Sequence, residues 1–398
     1  MLLDHPTAGP TAIHTQFGAI FVSLELSPSK WIVTSLSPGK GEKMSRYSLP
    51  GGDFAGLLGL FAELRGKARE RTGSDYPIIT IHEAGLDGFW IHRALQQEDI
   101  QSYVVDAASI ATSRRRRRAK TDKIDGEGLL RALLAFLRGE PRVCAMVTAP
   151  SPEEEDRRRL SRERATLLNE RIVHTNRIKG LLFAQGISGY APLRRDRRKR
   201  LDGLQTGDGR ALPPHLKAQI SRELDRLELL LDQIKAVEAA QEARLAVERE
   251  KATEGAQRQT EQEAEPRNVV AMLLAVKGIG THAAAILWSE GLSRPFSNRR
   301  QVAAYAGLAA TPWRSGALVH EQGLSKAGNP RLRTLMVQLA WLWLRHQPQS
   351  ALTKWFKARG DRGRKGSIVA LARKLLVALW KYATQGVVME GAVIKVAA

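Results

Sequence analysis

The sequence predicts an α/β layered domain with a mixed sheet, then a long helical region, then an all-α C-terminal domain. Three observations carry that reading. Short β-branched runs come first as a meander and then alternate with helical patterns. A charged middle stretch repeats Leu and Ile at spacings of three and four. The last third reads as helix, tight Gly-x-Gly turn, helix, followed by further amphipathic helices.

Residues 1–16 read as a loose lead-in. The first domain is placed at 17–150. GAIFVSLEL, KWIVTSL and MSRYSLP are its first three strands, LLGLFAEL lies in a helix between 53 and 69, PIITIH is a buried strand at 77–82, a helix follows at 88–95, and SYVVDA is a further short strand. The helical region is placed at 151–265. One long helix runs from 152 to about 184, a basic loop carries RRDRRKR, and Leu216, Ile220, Leu224, Leu227, Leu231 and Ile234 then form a seam. An antiparallel helical pair or an oligomerising coiled coil fits this pattern, and two surface helices packed on the body are the plainer alternative. The C-terminal domain is placed at 266–398. Trp288, Trp313, Trp341, Trp343, Trp355 and Trp380 cluster there in helical settings, which suits core packing better than base stacking.

The chain has 398 residues, enough for about two or three domains. Its 62 Lys and Arg against 41 Asp and Glu give a formal charge of +21, which favours a polyanionic partner. Nucleic acid is the first reading and an anionic membrane surface its main rival. A single cysteine, Cys144, excludes an internal disulfide and a cysteine-built zinc site. The chain fits a reducing, cytoplasmic compartment. Its start does not read as a secretory signal, and no membrane span is expected.

Four carboxylates stand where chemistry could use them. Glu25 ends the first strand, Glu83 follows PIITIH directly, and Asp122 and Asp125 lie three apart at the start of a helix in KTDKIDGEGLLRALL. Carboxylates at strand ends and on a nearby helix can meet at one sheet edge. Magnesium or manganese takes such oxygen ligands, and two ions about 4 Å apart would clamp the attacking and leaving oxygens of a phosphodiester. The Asp pair is preceded by a cationic run containing Arg114, Arg115, Arg116, Arg117, Arg118 and Lys120, with Lys123 between the two aspartates; this suits phosphate contact. A helix cap and a solvated basic loop are the plainer readings of the same residues.

Downstream, Gly278 and Gly280 in VKGIGTHAA suit a helix-hairpin-helix-like element that grips phosphate through backbone amides. The polar segment that follows holds Arg314, Ser315 and Gly316, then Ser325, Lys326, Gly328, Asn329, Arg331 and Arg333. An activated serine hydroxyl flanked by cations can attack phosphorus. Taken alone, Ser315 reads as an ordinary turn serine.

Taken together, IHEAGLDGFWIHRAL, VVDAASI with RRRRRAKTDKIDGEGLL, and AYAGLAATPWRSG with GLSKAGNPRLR resemble the IS110 family of transposases, over nearly the whole chain. The resemblance implies an N-terminal RuvC-like domain of the ribonuclease H type with an Asp-Glu-Asp-Asp set, a coiled-coil region, and a C-terminal domain bearing a serine that attacks DNA. Glu83, Asp122 and Asp125 match the glutamate and paired aspartates, and Ser315 matches the serine. Glu25 stands where the family's first aspartate is normally found. The resemblance also implies double-stranded DNA substrates, a structured non-coding guide RNA, a tetramer, and a bacterial or archaeal, nucleoid-associated setting. Besides serine recombination, the residues leave open a RuvC-like nuclease using water and a catalytically reduced nucleic-acid-binding scaffold.

Overall fold

A computed structural model describes residues 18–41, 43–85, 88–110, 122–140, 143–258, 268–315, 318–325, 327–359 and 364–395; for 122–124, 248–258, 311–315, 318–323 and 364–365 it describes the backbone alone. The chain forms two compact units that meet in sequence between Ser151 and Pro152.

The first unit is a five-stranded sheet between helical layers. Strands β1 (Ile20–Glu25), β2 (Lys30–Leu36) and β3 (Met44–Pro50) form an antiparallel meander, and β4 (Ile78–Glu83) and β5 (Gln101–Val105) add on in parallel, giving the order β3-β2-β1-β4-β5. This is the RuvC-like, ribonuclease H-type arrangement that the sequence led us to expect. Two apolar clusters cover its two faces. Ile20, Val22, Leu24, Trp31 and Val33 pack under α1 (Phe54–Thr72) and α2 (Trp90–Gln97), through residues such as Leu57, Phe61, Ile91 and Leu95. Phe21, Leu36, Ile81 and Val105 pack under Leu129, Leu130 and Leu133 of α3 (Asp122–Leu137). Successive β1 side chains enter the two apolar layers in turn, and the strand is buried almost throughout, as one covered on both faces requires. Asp53 begins α1 by accepting from Gly56 N at 2.8 Å, and Gly73, at φ 74°, ends it in a left-handed cap.

The second unit opens with α4 (Pro152–Phe183), a short α5 (Arg197–Asp202) and the long α6 (Pro214–Arg258). Cross-contacts run in opposite directions along α4 and α6: His174 with Glu223, Arg164 with Glu238, Ser161 with Gln241. The helices are therefore an antiparallel pair. Ile220, Leu224, Leu227 and Ile234 are buried, as the seam predicts, while Leu216 and Leu231 are partly so. The basic segment expected as a loop between them is partly helical, and part of it is neutralised internally, since Arg197 and Arg198 of α5 both bond Glu228, at 2.7 Å each.

The remaining elements are α7 (Val269–Ala275), α8 (Thr281–Leu287), a π-helical turn at Trp288–Leu292, α9 (Arg299–Tyr305), a hairpin of β6 (Ala310–Ser315) and β7 (Leu318–Leu324), α10 (Pro330–His346), α11 (Ala351–Ala358) and α12 (Arg364–Gln385). Apart from that hairpin this part is helical, around a core that includes Leu273, Leu339, Trp343, Leu375 and Trp380. Trp343 and Trp380 fill core positions as expected; Trp341, 47% exposed, does not. Among the described residues no helix is long and apolar enough to cross a membrane.

Candidate active site

Three of the four sequence-predicted carboxylates can be followed through their side chains, and strand register sets two of them. β1 and β4 run parallel with Ser23 beside Ile81 and Leu24 beside His82, so Glu25 and Glu83 end neighbouring strands at the same level. Side chains alternate along a strand. Ser23 faces α3, because its Oγ donates to Gly126 O at 2.9 Å; Ile81 faces α3 through Leu129, Leu130 and Leu133. Two residues further on, Glu25 and Glu83 share that face. This is the carboxyl edge of the parallel strands, where open α/β sheets bind their ligands.

Helix α3 brings the aspartates to the same edge. It packs against β1, with Gly126 beside the strand's end and Leu129, Leu130 and Leu133 in the shared apolar layer. A Cβ built on the buried Gly126 would lie 2.7 Å from Glu25 Oε1, so the Glu25 carboxylate sits directly against the turn that holds Asp125. Asp125 is half-buried there, and Asp122 begins the helix one turn earlier. The donors are all carboxylate oxygens, which fits a hard divalent cation. Among the described residues no group of three or more His, Cys, Asp or Glu closes to metal-holding distance, and the Asp122 side chain is not among those described. His82, between the two faces' motifs, points away from this edge. Its ring is fully buried, neither nitrogen has a hydrogen-bond partner, and burial with the nearby His92 pushes its pKa down to about 4.

The serine lies in the second unit. Ser315 closes β6, its backbone paired with Leu318; residues 316 and 317 lie outside the described residues. Pro312 removes one ladder donor, and the register shifts between Ala310 and Pro312, as expected where proline enters an edge. The foot of the ribbon is tightly held. Ser325 N bonds Ala309 O at 2.9 Å, and Gly328, at φ 132°, lies so close to the end of α9 that a Cβ there would be 2.5 Å from Tyr305 O. Asn329 then caps α10, accepting from Arg331 N and Leu332 N, while its Nδ2 donates to Glu290 Oε2 at 2.9 Å. Glu290 is 1% exposed and also takes Arg162 Nε of α4 at 3.0 Å. Burial pushes the Glu290 carboxyl up, but bonds from Arg162 and Asn329 and the charges of Arg162 and Arg158 outweigh it and hold it below the usual range.

Comparison with known proteins assigns the chain. The model of the "Transposase IS116/IS110/IS902 family" matches residues 270–354. The "Putative transposase y4rJ" of Sinorhizobium fredii is 68% identical over 397 residues, covering 98% of each chain. This chain belongs to the IS116/IS110/IS902 family of transposases. More distant relatives include the transposase for insertion sequence element IS1328 of Yersinia enterocolitica, 30% identical over 62% of this chain and 71% of the relative. The transposase for element IS1111A of Coxiella burnetii is 28% identical over 67% of each chain.

Within this family member, then, Glu25, Glu83 and the start of α3 come together in the first unit, and Ser315 sits in the second. Arg114, Arg115, Arg116, Arg117, Arg118, Lys120 and Lys326 lie outside the described residues, as do the side chains of Lys123, Arg314 and Ser315. Arg331 is exposed and Arg333 half-buried in the first turn of α10. The Gly-x-Gly turn does join two helices, α7 and α8. Its Lys277 N and Ile279 N are engaged by Val393 O and Val276 O, a Cβ built on Gly278 (φ 95°) would lie 3.0 Å from His346 Cβ, and Gly280 stays exposed. Sequence reasoning missed Gly126 and Glu290, and it placed Asn329 in a polar cluster without its role as a cap and partner of Glu290. Only Asn329 carried a local signal, since Asn before Pro at a helix start marks a cap.

Proposed function

We propose that this chain is a DNA transposase acting as a serine recombinase, in which Ser315 attacks a DNA phosphodiester beside a carboxylate-held divalent cation. The observation that carries the proposal is the seating of the Glu25 carboxylate against the DxxD turn, level with Glu83, in a member of a transposase family. Glu25, Glu83, Asp122 and Asp125 would hold Mg2+ or Mn2+. When bound, the metal supplies charge neutralisation at the phosphate and lowers the pKa of an oxygen nucleophile.

The remaining work falls to the chain itself. The Ser315 Oγ–P bond forms as the P–O bond to the sugar breaks. The serine proton leaves as the sugar oxygen gains one, and a sugar hydroxyl of the exchanged strand later reverses the step. Arg314, Lys326, Arg331 and Arg333 are placed in sequence to stabilise charge on the attacked phosphorus. Arg114 to Arg118 with Lys120 and Lys123 would position the duplex, and Gly278 and Gly280 would offer amides to a further phosphate. In the same reading a structured guide RNA selects the sites, and a tetramer lets the carboxylate unit of one copy meet the serine unit of another. Ser315→Ala, assayed with the element's DNA ends and guide RNA, should abolish strand exchange and leave DNA binding within about twofold. Undiminished recombination would overturn the serine assignment; cleavage retained without exchange would favour a nuclease using water.

A further inference from the structure

Gly126 presents an unexplained cost. It is buried in the helical part of α3, where glycine is inferior to alanine, and it is not among the glycines with positive φ. The backbone therefore does not call for glycine. Space does. A Cβ at Gly126 would lie 2.5 Å from Thr34 Oγ1 and 2.7 Å from Glu25 Oε1. Gly128, two residues on and so on nearly the opposite side of the helix, has nothing within 4 Å of its corresponding position. The need is local to position 126, where Ser23 also draws the helix onto β1.

We propose that Gly126 is a positioning residue for Glu25: the side chain it lacks is the seat of the glutamate carboxylate at the sheet edge. Glu25 and Gly126 are thus a matched pair. A glutamate extends one methylene further from β1 than an aspartate, and its carboxylate reaches α3 because position 126 leaves the room. A shorter acid at 25 would stop short of the notch, and a larger residue at 126 would push Glu25 out of it. The significance for catalysis rests on reading this edge as a cation site; the seat itself rests on the contact alone.

The test is a set of full-length variants, Gly126→Ala, Glu25→Asp, the double variant, Thr34→Ala/Gly126→Ala, and Gly128→Ala as a spacing control. Two readouts are taken, the thermal midpoint of the first unit without divalent cation and its shift on adding Mn2+. Gly126→Ala should lower the cation-free midpoint by about 4–10 °C, the shift that overpacking produces in a unit of this length, and should abolish the Mn2+ response. In the Glu25→Asp background the same change should cost less than half as much. An equal penalty in both backgrounds, or relief by Thr34→Ala and none by Glu25→Asp, would overturn the pairing. Should Gly126→Ala prove insoluble, recovery of soluble protein in the double variant reads the same contest. A wild-type protein with no Mn2+ response but intact coupling between 25 and 126 would refute the cation site and leave the seat standing.

Discussion

The carboxylate edge and the serine ribbon are built by different means. Glu25 and Glu83 are the last residues of two adjacent parallel strands, each covered on both faces by apolar layers, and α3 is locked to them through Leu129, Leu130 and Leu133. Ser315 closes a two-stranded ribbon whose foot is held largely by polar contacts, Asn329 to Glu290 and Glu290 to Arg162. An apolar sandwich fixes positions through many small contacts and degrades gradually. A buried polar network holds through a few strong ones and fails when one partner is lost. In the proposed mechanism, acid oxygens sharing a cation would profit from the first design, and a serine joining DNA covalently would be compatible with the second.

The largest effects should come from breaking either half's chemistry. Glu83→Gln or Asp125→Asn should lower strand exchange by at least about a thousandfold, with DNA binding retained, in a recombination assay with the element's own ends. If one of the two halves proves dispensable, the composite reading fails. Next comes the ribbon's anchor. Glu290→Ala removes the partner of the half-exposed Arg162 guanidinium and of the Asn329 amide and should destabilise the second unit by about 1–3 kcal/mol in urea unfolding, while the first unit's response to Mn2+ is unchanged.

Acid should burden both regions, the second through His282, whose pKa burial likewise pushes down to about 4, and the first through His82. His82 is neutral in the folded state, with its pKa pushed down to about 4 from an ordinary 6.5. The unfolded chain binds a proton below about pH 6.5 that the folded chain refuses until about pH 4, so stability is full above that window and falls as pH drops through it. The loss, on the order of 3 kcal/mol by pH 4, should appear in the first unit's unfolding midpoint and be largely absent in His82→Leu. The smallest expected effect is a gain. Gly128→Ala, with open space around it, should add about 0.5–1 kcal/mol to the first unit, in contrast to the loss expected at Gly126.

The first unit was legible in the sequence because β-branched runs of strand length alternate with amphipathic helices, and register then follows from burial on both faces. The helical pair was legible through Ile220, Leu224, Leu227 and Ile234. The hairpin was not. Its Ser, Gly and Pro content reads as loop, and Pro312 argues against a strand, yet a two-stranded ribbon has edges enough to admit it. The anchors of that ribbon were hidden for another reason: Glu290 and Asn329 are 39 residues apart, and only the packing of the π-helical turn against the cap of α10 brings them into contact. Gly126 escaped notice because a glycine near a helix start has many uses, and its close approach to Glu25 exists only once α3 lies on β1.

The central claim is that one composite centre joins a carboxylate-held cation to a serine. It is tested most directly by quenching the Mg2+-dependent reaction of the full chain with guide RNA and element DNA, then locating any protein–DNA adduct by mass spectrometry. The account predicts a DNA phosphate on Ser315, formed with Mg2+ and lost in Asp125→Asn. Active strand exchange with no adduct, or with one on another residue, would contradict it.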